Sequence, residues 1–351
     1  MKPLCLSLLL LVAAGCLRGQ DFTFSQYAAM PYLINPAAVG QVPTFLPVNS
    51  NVPQTYQHRI AVIARNHWRS PTSKDGLWAG AAGWDMRLCN RQSDGTFWGF
   101  GAFVQRDQAN LGRFFNFQAR GMAALHRRLS RRWWMSVGVS GGLLQYGVRP
   151  SWLTFDRQFN GTTGLFDHSL LSGEATLSDM RESRVKGDMD LGFRLLDTRG
   201  GGYFGATLHH FILQPRYSLL SSSDGANRLD MGFSLQAASP AMWNRLVITA
   251  LLRRQSFSES RQWQATGGLL YKFESCNFGA MLRTSGRQQG KGIMTRDALI
   301  LSSSVNFSGC VLRLSWDLNL SRLDTGAGGP EVSCGWFFGN GSDCVRCPQS
   351  F

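Results

Sequence analysis

The feature that most constrains this chain is a strict alternation of apolar and polar residues. In residues 312–321, five apolar residues fall on one face: Leu312, Leu314, Trp316, Leu318 and Leu320. The other face carries Arg313, Ser315, Asp317, Asn319 and Ser321. A period of two places alternate side chains on opposite sides of a β-strand. The sequence therefore predicts strands with one apolar and one polar face.

The same alternation recurs in residues 133–140, 188–195 and 228–237. Extended to the whole chain, the pattern predicts fourteen strands, near 58–69, 77–88, 96–106, 113–127, 132–147, 185–196, 201–212, 225–238, 244–254, 259–272, 274–286, 293–307, 310–322 and 330–338. A soluble β-sandwich would also show alternation, but its strands average about five to six residues. A tilted strand that crosses a membrane needs about 9–11. Strand length therefore favours a membrane barrel.

Composition and connection lengths agree with a barrel. Hydrophobic residues make up 44% and aromatic residues 12% of the chain, yet no apolar run after the N-terminal segment is long enough for a transmembrane helix. Long connections such as 148–184 follow odd-numbered strands, and tight ones such as 308–309 follow even-numbered strands. Outer-membrane barrels have long external loops and short periplasmic turns. We expect an all-β fold: a single antiparallel transmembrane β-barrel of about 14 strands, of the outer-membrane type, over residues 58–338.

The N-terminus predicts export. Lys2 precedes an apolar run from Leu4 to Ala14, which is too short to span a bilayer as a helix and is typical of a signal peptide. Residues 1–19 are therefore expected to be cleaved. An alternative is a lipoprotein signal, with the lipid on Cys16. Either signal would direct the mature chain out of the cytoplasm.

Two short motifs follow the signal. Gln20 opens a stretch that contains Ser25-Gln26-Tyr27, and Asn35-Pro36-Ala37-Ala38-Val39-Gly40 comes eight residues later. Proline disfavours a helical conformation at the preceding residue, and glycine readily adopts positive φ. The second motif therefore predicts an extended segment closed by a turn. Residues 20–57 precede the first strand, so we expect a periplasmic segment or a plug folded into the barrel.

These motifs resemble the start of the mature PorP/SprF-type outer-membrane proteins of Bacteroidota. Arg65 and Trp68 are similar to residues of the family's Arg-rich first strand, although His67 stands where glutamine is usual. The resemblance extends to Trp152–Phe159, to Asp190–Pro215 and to the Cys-Pro ending at Cys347. It identifies a candidate docking or plug set: Gln20, Ser25, Gln26, Tyr27, Asn35, Pro36, Ala37, Gly40, Arg65 and Trp68.

The resemblance implies a role in type IX secretion. Family members support protein secretion, or the surface attachment of cargo such as gliding adhesins, from the cell outer membrane. The implied partners are a periplasmic ring lipoprotein, its associated ring and peptidoglycan-binding proteins, and secreted cargo. A different class remains open, because a barrel of this size could also be a passive channel or a hydrophobic-solute transporter.

An enzyme is not expected, and neither is a cofactor or a metal. Residues 138–142 match G-x-S-x-G, but the chemistry requires a strand-to-helix turn, whereas the alternation places Ser140 on the polar face of a strand. His209 and His210 are adjacent, so a regular strand would point them to opposite faces. This predicts that they do not share a metal site.

Cysteine usage leaves three alternatives. Cys89, Cys276, Cys310, Cys334, Cys344 and Cys347 form an even set in an exported chain, which favours disulfides. We expect a bridge within the tail, residues 339–351, or from the tail to Cys334. Free thiols are the second alternative. A redox or metal site at Cys344 and Cys347, which have CxxC spacing, is the third.

The formal charge of +14 does not predict nucleic-acid binding, because no nucleic-acid motif accompanies it. The basic residues are dispersed among turns and loops, such as Arg127, Arg128, Arg131, Arg132, Arg287, Lys291 and Arg296. Basic rims are suited to the phosphate groups of lipopolysaccharide. Outer-membrane lipid is therefore an expected partner, and acidic proteins remain possible.

Overall fold

The computed structural model describes residues 24–42, 44–45, 54–67, 77–88, 95–109, 114–149, 155–167, 169–170, 183–198, 201–211, 214–216, 225–228, 231–241, 245–257, 260–273, 275–288, 293–307, 309–320 and 328–340. The predictions made for the signal segment 1–19, Gln20, Trp68, Cys89, Cys344 and Cys347 lie outside these residues.

Fourteen of the described strands form the barrel wall. The first seven are β1 His58–His67, β2 Leu77–Leu88, β3 Thr96–Ala109, β4 Phe114–Arg128, β5 Trp133–Val148, β6 Ser183–Asp197 and β7 Tyr203–His209. The others are β8 Gly232–Ala241, β9 Leu246–Phe257, β10 Ser260–Phe273, β11 Cys276–Gln288, β12 Ile293–Phe307, β13 Cys310–Asn319 and β14 Gly329–Phe338. Each strand pairs antiparallel with its neighbour in the chain, and β14 pairs with β1 to close the barrel. The predicted fold class is confirmed.

The two faces of each strand follow the alternation in the sequence. On β13, Leu314 is 51% exposed on the outer wall, whereas Asp317 is completely buried on the inner wall. On β6, Met189 and Leu191 face outward, and Asp190 faces inward. The outer wall thus presents an apolar band to lipid, and the polar residues line the lumen, as expected for an outer-membrane barrel.

One predicted strand pair differs from the structure. β7 ends at His209 and β8 begins at Gly232, instead of 212 and 225. His210 has φ 57°, a left-handed conformation that interrupts a strand and is uncommon outside glycine. Beyond this break, residues 214–216 pair with 225–228 in a separate two-stranded sheet. The predicted strand 201–212 therefore extended past the break, and the predicted strand 225–238 ran two elements together.

The two ends of the barrel differ in their connections. One end, here the short-turn end, has connections such as 129–132 and 308–309; the other, the long-loop end, has 149–182 and 210–231. The expected parity holds for most connections. Three at the long-loop end, 110–113, 258–259 and 289–292, are nevertheless short.

Residues 24–42 lie inside the barrel, and we call them the plug. The plug has single 3-10 turns at Pro31–Leu33 and Pro36–Ala38. Its Met30, Tyr32 and Val39 pack with wall residues in a buried apolar cluster. Among the described residues, no helix is both long and apolar enough to cross a membrane.

Candidate functional site: a plug inside the barrel

The first plug motif binds two acidic residues of the inner wall. The backbone N–H groups of Ser25 and Gln26 donate to the two carboxylate oxygens of Glu331 on β14, at 2.9 and 2.6 Å. The Ser25 hydroxyl donates to Oδ2 of Asp317 on β13, at 2.8 Å. All four residues are buried. Hydrogen bonds to a charged acceptor are stronger than neutral ones, so these contacts fix the start of the plug.

An ion network supports the contact with Ser25. Asp317 accepts from Arg65 of β1 and from Nη1 of Arg283 on β11, the latter at 2.8 Å. The same nitrogen of Arg283 donates to the Ser25 hydroxyl at 3.1 Å. A buried charge is costly unless it is paired and hydrogen-bonded. The network keeps these charges compensated and orients them toward the plug. Arg65, a member of the predicted set, therefore acts through Asp317.

Gln26 is bound through both ends of its side-chain amide. Its Nε2 donates to the Ser315 hydroxyl at 3.0 Å and to the backbone carbonyl of Glu331 at 2.9 Å. Its Oε1 accepts from the Ser333 hydroxyl at 2.6 Å. A buried amide with partners at donor and acceptor sides is specific for glutamine at this position.

Two plug tyrosines are buried against the wall. The Tyr27 hydroxyl shares a hydrogen bond with the Thr249 hydroxyl of β9. The guanidinium of Arg59 lies 4.9 Å from the centre of the Tyr32 ring, a cation–π contact. Burial raises the pKa of Tyr27 and that of Tyr32 well above the usual range. Both phenols therefore remain neutral inside the barrel.

Asn35 joins the second motif to two neighbouring strands. Its Nδ2 donates to the carbonyls of Phe193 on β6, at 3.0 Å, and Ala206 on β7, at 3.4 Å. Its Oδ1 accepts from the backbone N–H of Ala37 at 2.9 Å, which caps the turn that begins at Pro36. Asn35 is extended, with φ −140° and ψ 108°, as predicted from the proline that follows it.

Wall glycines make room for this turn. A Cβ at Gly192 of β6 would lie 2.2 Å from Oδ1 of Asn35, and one at Gly138 of β5 would lie 2.5 Å from the Ala37 nitrogen. A Cβ at Gly99 of β3 would lie 2.2 Å from the Val39 carbonyl oxygen. No real side chain tolerates such approaches. The plug therefore packs on bare backbone, and these wall positions require glycine.

Gly40 ends the second motif at another buried ion pair. Its φ is 76°, so the predicted positive φ is present. Its N–H donates to Oδ2 of Asp85 at 2.8 Å, and Asp85 is held by two hydrogen bonds from Arg59, at 2.7 and 2.9 Å. Arg87 donates to the carbonyls of Gly40 and Val42, at 3.2 and 2.7 Å. This set holds the end of the plug near the short-turn end.

A histidine fixes the backbone between these anchors. Nε2 of His126 on β4 lies 2.8 Å from the carbonyl oxygen of Val39, and Nδ1 lies 2.7 Å from the Ser136 hydroxyl. A carbonyl only accepts, so Nε2 carries the proton and Nδ1 accepts from Ser136. Gln41 donates to the same hydroxyl at 3.0 Å and accepts from Arg194. Sequence reasoning missed these residues.

Comparison with known families decides the identity of this arrangement. The model of the type IX secretion system membrane protein PorP/SprF matches residues 17–333. The chain belongs to the PorP/SprF family. The matched residues include the whole plug and thirteen complete wall strands. Comparison with curated proteins finds no match.

Solved structures resemble this PorP/SprF barrel only in general architecture. The toluene transporter TbuX of Ralstonia pickettii shares 9% identity and a TM-score of 0.49, over 89% of this chain and 94% of that one. A TodX monoaromatic hydrocarbon channel mutant shares 11% identity and a TM-score of 0.45, over 81% and 90%. OprB of Pseudomonas putida shares 8% identity and a TM-score of 0.41, over 81% and 94%.

A small cavity lies beside the PorP/SprF plug, among the described residues. A cavity of about 30 Å³ is lined by plug residues Phe24, Tyr27 and Met30 and by wall residues that include Arg120 and His209. This is room for about two water molecules. Small-molecule sites usually have volumes of about 300–1,000 Å³. This cavity therefore has room for water and not for a solute of that size.

Next to this cavity, the two histidines do not point to opposite faces, as the sequence had predicted they would. His210 Nδ1 lies 2.9 Å from Asp188, and His209 Nδ1 lies 3.3 Å from Asp190, so both rings reach one pair of carboxylates. The positive φ of His210 turns its ring back to the same side. Asp188, Asp190 and His210 could in principle hold a metal ion. Arg120, however, already bridges the two carboxylates as their counter-charge.

The remaining sequence candidates are placed as follows. Ser140 lies in mid-strand in β5 on the inner wall, so G-x-S-x-G forms no strand-to-helix turn here. Cys334 on β14 faces outward, with its Sγ 3.7 Å from the Sγ of Cys310 on β13. Among the described residues, the cysteine beside Cys334 is therefore in the wall; the tail cysteines of the predicted bridge lie outside these residues.

Proposed function

We propose that this chain is an outer-membrane component of the type IX secretion system that supports protein secretion, surface attachment of cargo, or both. In this proposal the short-turn end faces the periplasm and the long loops face outward, as in outer-membrane barrels generally. The partners are the periplasmic ring lipoprotein with its associated ring proteins, and the secreted cargo. We expect no catalytic activity.

The observation that carries this proposal is that residues of the family signature bind the inner wall of the barrel. Ser25, Gln26, Asn35 and Gly40 each bind the inner wall directly. These contacts hold the plug against the inner wall, inside the lumen, and none of them builds a solute path. A barrel whose distinguishing residues close its own lumen is better suited to a secretion machine, which must keep the membrane sealed, than to passive permeation.

The position of the plug also suits contact with a machine on the periplasmic side. Gly40 and Val42 are held by Arg87, one residue before β2 ends at the short-turn end. β1 begins at this same end, at His58. A periplasmic partner would therefore meet the C-terminal part of the plug first. In this proposal the plug links partner binding to the state of the lumen.

The test is to replace residues 24–42 by a flexible glycine–serine linker of equal length. No wall strand is altered, so the barrel should still assemble and migrate heat-modifiably on a gel. Surface display of a type IX cargo should be lost, and the cargo should accumulate in the periplasm. The measurement is cargo partition between the two compartments, with solute uptake measured in parallel.

The competing function predicts the opposite pattern. A passive channel or hydrophobic-solute transporter would take up solute faster once the plug is gone, while cargo display stays normal. That result would replace our proposal with the channel. An internal control is the unmodified chain expressed at the same level, because it separates loss of the plug from loss of the protein.

A further inference from the structure

The turn between β4 and β5 is strongly basic and lies at the short-turn end. Together with the last two residues of β4, it carries four exposed arginines: Arg127, Arg128, Arg131 and Arg132. Leu129, between them, is 54% exposed. Arg245, in the turn between β8 and β9 at the same end, is exposed as well. This end of the barrel therefore carries a concentrated positive charge with an apolar residue at its tip.

Two of these arginines lie at the edge of the apolar outer wall. On β4, Met122, Ala124 and His126 face the lumen, so Leu125 and Arg127 face outward toward lipid. Arg132 lies 5.1 Å from the ring centre of Trp133, which is 36% exposed on the outer wall. Tryptophan and long basic side chains are typical of the level where lipid headgroups begin.

The neighbouring acidic group does not neutralise this turn. Asp197, at the end of β6, pairs with Arg132 at 3.0 Å. The side chain of Arg132 is 52% exposed in this pair, and an exposed pair contributes little because water and salt screen it. Arg127 and Arg131 are exposed and do not take part in that pair. The turn thus retains a net positive charge toward the membrane surface.

We propose that the β4–β5 turn binds the phosphate headgroups of anionic phospholipid in the leaflet at the short-turn end. The position of Arg127 favours a lipid ligand over a protein partner. Arg127 points outward from the side of the wall, and a protein docked on the end of the barrel would not reach it. The source is phospholipid and not lipopolysaccharide, since the turn lies opposite the long loops. This last step rests on the proposed orientation.

The test uses the full mature chain in detergent and native mass spectrometry. Phosphatidylglycerol and phosphatidylcholine compete at equal concentrations, and the ratio of bound adducts is measured. The unmodified chain should prefer phosphatidylglycerol. Each arginine removed should lower the preference by about fivefold, because one basic residue near an anionic surface contributes about 1 kcal/mol. The variants are Arg127→Gln, alone and with Arg132→Gln. The control is Arg296→Gln, at an exposed position of the long-loop end.

Retention of the preference in the Arg127→Gln/Arg132→Gln variant, or its equal loss in Arg296→Gln, would overturn the proposal. Displacement of phosphatidylglycerol by lipopolysaccharide through the same arginines would overturn the choice of leaflet, while leaving the cargo experiment unaffected.

Inorganic phosphate alone should not displace the lipid at equal concentration, since the turn also meets the membrane through Leu129. If it does, the site is for a free anion. Heat-modifiable migration of every variant confirms that the barrel is folded.

Discussion

Asn35 of the plug and Gly192 of the wall are in such close contact that a Cβ on Gly192 would lie 2.2 Å from Oδ1 of Asn35. The asparagine and the glycine are therefore one complementary pair, although 157 positions separate their numbers in the sequence. The side chain that defines the family's second motif needs a wall residue without a side chain.

A first prediction follows from this pair. Gly192→Ala should displace Asn35 and weaken plug docking by about 1–3 kcal/mol, the usual cost of overpacking. The control is Gly187→Ala in the same strand, where an added Cβ meets nothing within 4 Å. Protease sensitivity of the plug in the folded barrel measures the effect. Equal sensitivity of the two variants would contradict the contact.

A second prediction concerns the buried pair at the end of the plug. Asp85→Asn should destabilise the folded protein by about 3–5 kcal/mol, because it leaves the Arg59 guanidinium buried without its counter-charge. Asp197→Asn removes one partner of an exposed pair and should cost less than about 1 kcal/mol. Denaturant unfolding of the two variants provides the comparison. Similar losses for both would show that the Asp85 pair is not buried in the membrane-inserted protein.

A third prediction tests the two faces of β13. Leu314→Arg places a charge on the lipid-facing wall and should block assembly, at a cost of about 2–4 kcal/mol near the bilayer midplane. Asn319→Ala changes the other face and should assemble normally. The amount of heat-modifiable protein in the membrane fraction is the readout. If both variants accumulate equally, the assigned faces are wrong.

A fourth prediction concerns the cysteines. Cys334 lies beside Cys310, with the two Sγ atoms 3.7 Å apart, so a mild thiol oxidant should cross-link β13 to β14. Peptide mapping under non-reducing conditions identifies the linked peptides. Cys310→Ser should leave Cys334 free for alkylation. A bridge from Cys334 to the tail in the unmodified chain would instead support the pairing expected from the sequence.

The sequence predicts the wall well because the wall obeys a local rule. Alternation assigns Leu314 to lipid and Asp317 to the lumen without knowledge of the fold, and strand length separates a membrane barrel from a sandwich. The prediction fails where a single backbone conformation matters. Nothing in the pattern indicates that His210 adopts positive φ, so β7 was drawn too long and the two histidines were placed on opposite faces.

For the plug, the sequence predicts much less than it does for the wall. Its motif residues are visible in the sequence through resemblance, but their partners are not. Ser25 binds Asp317, and Gln26 binds Ser333, across nearly the whole chain. Such contacts depend on which inward-facing residues meet in three dimensions, and the alternation gives only the side of the wall. Glu331, a carboxylate on the polar face of its strand, was the available signal in the sequence. The sequence does not indicate which residues of the plug would pair with it.

The central claim is that the family signature lies in the lumen against the inner wall. The most direct measurement is cross-linking in intact membranes of a chain whose native cysteines are replaced by serine. Gln26→Cys with Ser333→Cys places thiols at two residues that share a 2.6 Å hydrogen bond. The control pairs Gln26→Cys with Val332→Cys, the adjacent residue on the outer wall. A short bifunctional thiol reagent should link the first pair and not the second. Linkage of neither pair, or of both equally, would contradict a plug bound inside the barrel.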